Sequence, residues 1–199
     1  MEINEKKRQA AAIAKMGKQL TLTIAVLDSD VKFAAVQWRK SQSDQFWRRT
    51  LVRCLCALAE GVLGLLKNLA PDSAKFFEVE LTAKDIEVAT ERRNYIENGI
   101  QRSKPAFLKF SENLKETFKL FAKTHTVQFE IRYEEPGFKA LCDTFDSRNK
   151  LMHPKGLFDL EVSDQAVDAA DQGMKWFDSA LSNLLQECGK KLPFSKISS

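Results

Sequence analysis

With 199 residues, 44% of them hydrophobic and 29% charged, the chain can fill the core of one domain and lies outside the composition of disordered proteins. Eight glycines and five prolines are few for this length, which argues against a sandwich of many short strands and for long helices. The net charge of +4 is unevenly spread, with +6 over residues 1–70, near balance over 71–155, −6 over 156–189 and three lysines in the last ten residues. Such a dipolar layout suits a polyanion drawn to one side, or pairing of the two halves with each other or with a second subunit.

Residues 3–19 are expected to be helical, with no breaker before Gly17. In residues 20–40 the run LTLTIAV would also suit a strand, but the apolar positions continue a helical face, so helix is expected with a break near Asp28-Ser29-Asp30. Ser43 or Asp44 can cap the clearest helix, from Gln45 to about Ala70, where Pro71 is expected to stop it. Apolar residues cover most of its circumference, marking it as the central helix, and its narrow polar strip holds Arg49, Arg53, Glu60 and Lys67. Thr82 caps a charged helix expected to reach about Ile100. Residues 105–123 form another, with Phe107, Phe110, Leu114, Phe118 and Phe121 on one face.

The alternating stretch Thr124–Tyr133 is the best strand candidate, with a loop as the alternative. After Pro136-Gly137 a helix carries Phe138, Leu141, Phe145 and Met152 and ends against Pro154. Ser163 caps a final helix to about Cys188, stopped by Gly189. The expected fold is an all-α bundle: a single domain over 1–199, with a core over about 43–188 and an N-terminal helical segment over 1–42.

Cys54, Cys56, Cys142 and Cys188 show no paired zinc-ligand spacing and read as core or boundary residues, a usage that suits a reducing cytoplasm. No secretory signal is apparent, and the most apolar run, Cys54–Leu66, is interrupted by Glu60 and is too short to span a bilayer. The expectation is a cytoplasmic protein without membrane attachment. The P-loop, G-x-G-x-x-G and G-x-S-x-G motifs are absent, and two histidines do not make a His-rich metal centre, so neither a metal nor a cofactor is expected. His125 reads as a surface or core histidine, and Trp38, Trp47 and Trp176 as core or interface residues.

The other histidine lies in Asp146-Ser147-Arg148-Asn149-Lys150-Leu151-Met152-His153-Pro154-Lys155. Pro154 disfavours the helical conformation before it, so His153 is expected at or just beyond the last turn, with Asn149 near the same face and Arg148 about half a turn away. One helix end therefore presents a permanent cation, an amide and a residue type that titrates near neutral pH. These are the groups needed to cleave an RNA phosphodiester without a metal. Histidine moves the protons of the attacking 2′-hydroxyl and the leaving 5′-oxygen, and arginine stabilises the charge on phosphorus between them. A two-fold axis through this helix end would bring two copies of the set together. Spacing alone leaves open the simpler reading of a helix C-terminus with favourable cations.

Arg148-Asn149, three residues and then His153-Pro154 resemble the R-x4–6-H motif of HEPN domains, in which a polar residue often follows the arginine. Arg48-Arg49 through Arg53 to Glu60-Gly61 and Lys67 is similar to the long buried helix of some HEPN families, so the resemblance spans about residues 43–188. It implies a homodimeric, metal-independent endoribonuclease acting on RNA, of the toxin–antitoxin or defence type, with Arg148 and His153 catalytic and Asn149 beside them. Arg53, Glu60, Lys150 and Lys155 are supporting candidates. Family members silenced by a partner nucleotidyltransferase often carry tyrosine two residues after the histidine; here Lys155 stands there. The alternatives are a HEPN-like module that binds RNA, nucleotide or a protein partner without catalysis, and a helical scaffold.

Overall fold

A computed structural model describes residues 2–192; for residues 2–7, 9, 10 and 16 it describes the backbone alone. Met1, the first residue of the expected N-terminal segment, lies outside the described residues, as does Lys196, one of the three C-terminal lysines. Among the described residues there are six α-helices: α1 Glu2–Lys40, α2 Gln45–Phe76, α3 Ala83–Thr90, α4 Phe110–Thr124, α5 Pro136–Met152 and α6 Asp164–Gly189. One hairpin, β1 Arg92–Glu97 with β2 Ile100–Pro105, and a short 3-10 turn, η1 Leu157–Leu160, complete the order. The expected all-α class holds. None of the described helices is long and apolar enough to cross a membrane.

Local chemistry explains most boundaries. The Asp44 carboxylate accepts the Phe46 N–H (2.8 Å) at the start of α2. Thr82 and Asp85 form a reciprocal capping box at α3, and the Ser163 hydroxyl accepts the Ala166 N–H (3.2 Å) at α6. Five expectations are corrected. The helix expected from residue 105 begins at Phe110, because the chain up to Pro105 is paired in β2, and Phe107 lies exposed before the helix instead of on its apolar face. The break at Asp28-Ser29-Asp30 does not occur: these residues cost only a few tenths of a kcal/mol each inside a helix, and Asp28 pairs with Lys32 one turn on. Pro71 does not stop α2, which continues to Phe76. Leu69 and Ala70 before it and Ser73 and Ala74 after it are buried, and that burial outweighs a local cost of about 3 kcal/mol. The helix expected to reach Ile100 ends at Thr90, because Asn98-Gly99 adopt left-handed conformations (φ 52° and 76°) and close a two-residue hairpin. Residues 127–132 are irregular rather than a strand, as the loop alternative had it.

The chain divides into two compact units. In the first, residues 2–20, 63–130 and 184–192, the side chains of Leu63, Leu66, Leu114 and Phe118 are enclosed, and Ala70, Val88 and Leu120 join α2, α3 and α4 in one cluster. Lys67, almost wholly buried, donates to the Glu91 carboxylate (2.6 Å) just past α3, and the Glu91 carbonyl accepts the Ala106 N–H (2.8 Å) that closes the hairpin base. His125 is also buried here, between Phe77 and Phe121 (ring centroids 5.3 and 4.3 Å away). Its Nδ1–H donates to the Phe121 carbonyl (2.8 Å). Burial lowers the His125 pKa below the ordinary value, against the opposing effect of that bond.

In the second unit, residues 21–62 and 131–183, the core is built from Val52, Leu55, Ala59 and Val62 of α2, Leu141 and Phe145 of α5, and Val167, Ala170 and Phe177 of α6. α5 and α6 approach so closely that a Cβ at Gly173 would lie 2.6 Å from the Leu141 nitrogen and Cα, and one at Gly137 would lie 2.5 Å from the Trp176 Cβ. Gly173 is therefore a packing requirement rather than a turn residue.

Two predictions follow from these contacts. Gly173→Ala should destabilise by about 1–3 kcal/mol through overpacking, despite the better helix propensity of alanine. Gly64→Ala, where a Cβ meets nothing within 4 Å, should stabilise by about 0.5–1 kcal/mol. Urea unfolding midpoints at constant slope measure both. The second concerns His125. Because its folded pKa is depressed, its stabilising contribution is complete above the unfolded value of about 6.5 and is lost as pH falls from there toward the folded pKa. Stability should decline over that interval by up to about 1.4 kcal/mol per pH unit, and His125→Phe should remove that part of the slope.

Candidate active site at the end of α5

The stretch singled out in the sequence lies wholly in the second unit. α5 ends at Met152, and His153 takes the C-cap position with φ −133° and ψ 59°, donating its N–H to the Asn149 carbonyl (3.0 Å). Pro154 follows and the helix cannot continue. The side chains of Asn149, Lys150, His153 and Lys155 are exposed, whereas Arg148 is half-buried. The expected placement of a polar helix end around the histidine is thus observed.

Arg148 is the anchored member. Its guanidinium lies over the Phe145 ring (5.3 Å to the centroid) and donates through Nη2 to Glu60 Oε1 of α2. One turn before Glu60, the buried Cys56 thiol sits near the Thr144 carbonyl (3.9 Å) and in the field of the Arg148 guanidinium. Burial pushes the Cys56 thiol up to about 12, against the lowering effect of Arg148. The Cys56–Glu60 face of α2 thus aims the arginine along α5. With 23% of the Arg148 side chain and 50% of the Glu60 side chain exposed, the ion pair is wet, and the guanidinium keeps donors for a second anion.

The segment after the motif is fixed by a separate set of contacts from the first turns of α2. Gln45 exchanges two hydrogen bonds with Val162, accepting its N–H (2.8 Å) and donating to its carbonyl (3.2 Å). Arg48 donates to the carbonyls of Gln42 and Val162 and to the Asp164 carboxylate, and Arg49 donates to the Leu160 carbonyl (3.1 Å). The Lys155 N–H donates to Asp159 (2.7 Å), which tightens the turn into η1. Met152, Leu157 and Phe158 are left exposed along this segment, Phe158 at 87%.

The supporting candidates separate. Glu60 reaches Arg148, whereas Arg53 is exposed on α2 with no hydrogen bond or ion pair to 148–155 among the described residues. Gln45, Arg48 and Arg49 as tethers of the 155–163 segment, and Cys56 and Phe145 as the bed of Arg148, carry no local motif and went unrecognised in the sequence. Among the described residues no three His, Cys, Asp or Glu side chains converge as metal ligands do.

Comparisons of the chain with protein-family models, with curated proteins and with solved structures find no match.

The two anchors differ in burial and therefore in weight. Arg48, with a side chain only 12% exposed and three charge-assisted acceptors, should cost roughly 2–3 kcal/mol when changed to Met. Glu60→Gln should cost less than about 1 kcal/mol, because the pair it breaks is solvated. Denaturant unfolding of the two variants side by side measures the difference.

Proposed function

We propose that the chain is a HEPN-like, metal-independent endoribonuclease in which Arg148 and His153 act on the scissile phosphodiester. The observation that carries this reading is the division of roles at the end of α5. A half-buried arginine is held in place by Glu60 and Phe145, and an exposed histidine stands free of the helix one turn further on. A fixed cation is what developing negative charge on a phosphate requires, since a preorganised donor does not reorganise as the charge forms. An exposed imidazole is what exchange of protons with substrate requires.

In this reaction the 2′-oxygen bonds to phosphorus and the bond to the 5′-oxygen breaks, leaving a 2′,3′-cyclic phosphate. One imidazole removes the proton from the 2′-hydroxyl, and a second group protonates the 5′-oxygen. A homodimer about an axis through this helix end supplies that second group as the partner's histidine, and the exposed Met152, Leu157 and Phe158 beside His153 are apolar material for such a contact. Asn149 can hold the phosphate or the imidazole, and Lys150 and Lys155 add positive charge around the substrate backbone. Membership of a toxin or defence system, with an associated control protein, rests on the same resemblance.

The test is cleavage of single-stranded RNA in EDTA. His153→Gln keeps a hydrogen bond but carries no proton, and should lower the rate by about 10²–10⁴-fold with RNA binding retained. Arg148→Ala should lower it comparably while changing stability by less than about 1 kcal/mol. Undiminished cleavage by pure His153→Gln protein refutes the mechanism. RNA binding by a wild-type protein that never cleaves would instead favour a non-catalytic HEPN-like module.

A further inference from the structure

The β1–β2 hairpin of the first unit has no packing explanation. Every strand residue is exposed except the half-buried Tyr95, and isolated two-stranded ribbons are marginal in water. Residues 92–105 nevertheless carry four cations against one carboxylate. The register pairs Arg93 with Lys104 and Tyr95 with Arg102, so three cations and a tyrosine share one face. Lys104 Nζ lies 5.4 Å from the centre of the Tyr95 ring. The Asn98-Gly99 turn holds the ribbon in this register, and Arg92, on the opposite face, clamps across to Ser103 (2.9 Å). Of the carboxylates that meet this face, Glu97 on Arg102 makes an exposed ion pair of the kind that exchanges for another anion at little cost, whereas the half-buried Glu87 holds Arg93 by two hydrogen bonds (2.9 and 2.6 Å) that a phosphate must displace.

We propose that this ribbon is a binding arm for single-stranded RNA, with Arg93, Arg102 and Lys104 on successive phosphates and Tyr95 stacked on a base. Cations interleaved with an aromatic ring are the pattern of single-strand binding, where the backbone supplies charge and each base a stacking face. Duplex RNA fits less well, since its major groove is too deep and narrow for side chains. The choice of RNA over DNA rests on the nuclease reading above; the arm itself rests on the ribbon alone.

Fluorescence anisotropy with a labelled, unstructured RNA 20-mer, in a His153→Gln background that prevents turnover, tests the arm. Combined Arg93→Gln, Arg102→Gln and Lys104→Gln should raise Kd at least about tenfold and flatten the salt dependence of log K by about two. Tyr95→Ala should raise Kd roughly tenfold and Tyr95→Phe should not. Helical circular dichroism should be unchanged in all of them, because the ribbon encloses no side chain. Variants that bind RNA within twofold of the parent overturn the arm, as does a parent that binds no RNA or prefers duplex RNA or polyglutamate. Separate cleavage assays on the otherwise wild-type chain keep the two ideas apart. Cleavage with ribbon-independent binding sinks the arm alone, and ribbon-dependent binding without cleavage sinks the nuclease reading alone.

Discussion

Where α5 crosses α6, the backbone of Leu141 rests against Gly173 with no space for a methyl group between them. Backbone packed on backbone at this distance leaves the axis of α5 little freedom, since sliding the helix would drive Leu141 into the flanking side chains of α6. Gly137 against the Trp176 side chain makes a second close contact nearer the start of α5. Two such contacts along one helix define a direction. The polar groups at the far end of α5 inherit their positions from it, and α2 supplies the remaining constraint through Cys56 against Thr144 and Glu60 against Arg148.

The site is therefore held by packing below and by hydrogen bonds behind. Thr144 is buried, but its hydroxyl donates to the Ala140 carbonyl (2.8 Å) within α5 and leaves no unmet polar group against α2. Beyond the motif, backbone carbonyls at Leu160 and Val162 would lack helix or strand partners; the side chains of Gln45, Arg48 and Arg49 satisfy them. A surface segment is thereby held in one conformation without a core of its own. His153 lies between these two regimes, next to both and locked by neither.

How much of this could be read beforehand follows from the range of each interaction. The capping signals at Asp44, Thr82 and Ser163 act within four residues and were legible. Asn98-Gly99 was equally local, but the charged run around it, rich in good helix formers, masked a turn signal stronger than those propensities. Pro71 misled in the opposite direction: a local rule gave way to burial on both sides of it, which only the tertiary structure supplies. At the candidate site, Pro154 made it legible that Arg148, Asn149 and His153 stand at one helix end, whereas the roles given to them rest on the family resemblance and not on spacing. Arg53 and Glu60 were matched because they share a face of one helix, whereas the partner that Glu60 takes comes from another helix, 88 positions away in sequence. No periodicity encodes such a pairing, and the same holds for Arg48 and Val162.

The cysteine under the arginine has a chemical consequence of its own. Burial pushes the Cys56 thiol pKa far above neutral, so it stays protonated at pH 7, whereas the thiolate is the form that oxidants and alkylating reagents attack. Burial also denies those reagents access. Cys56 thus fills the space behind Arg148 as a small apolar group does, shielded from the reagents that attack an exposed thiolate.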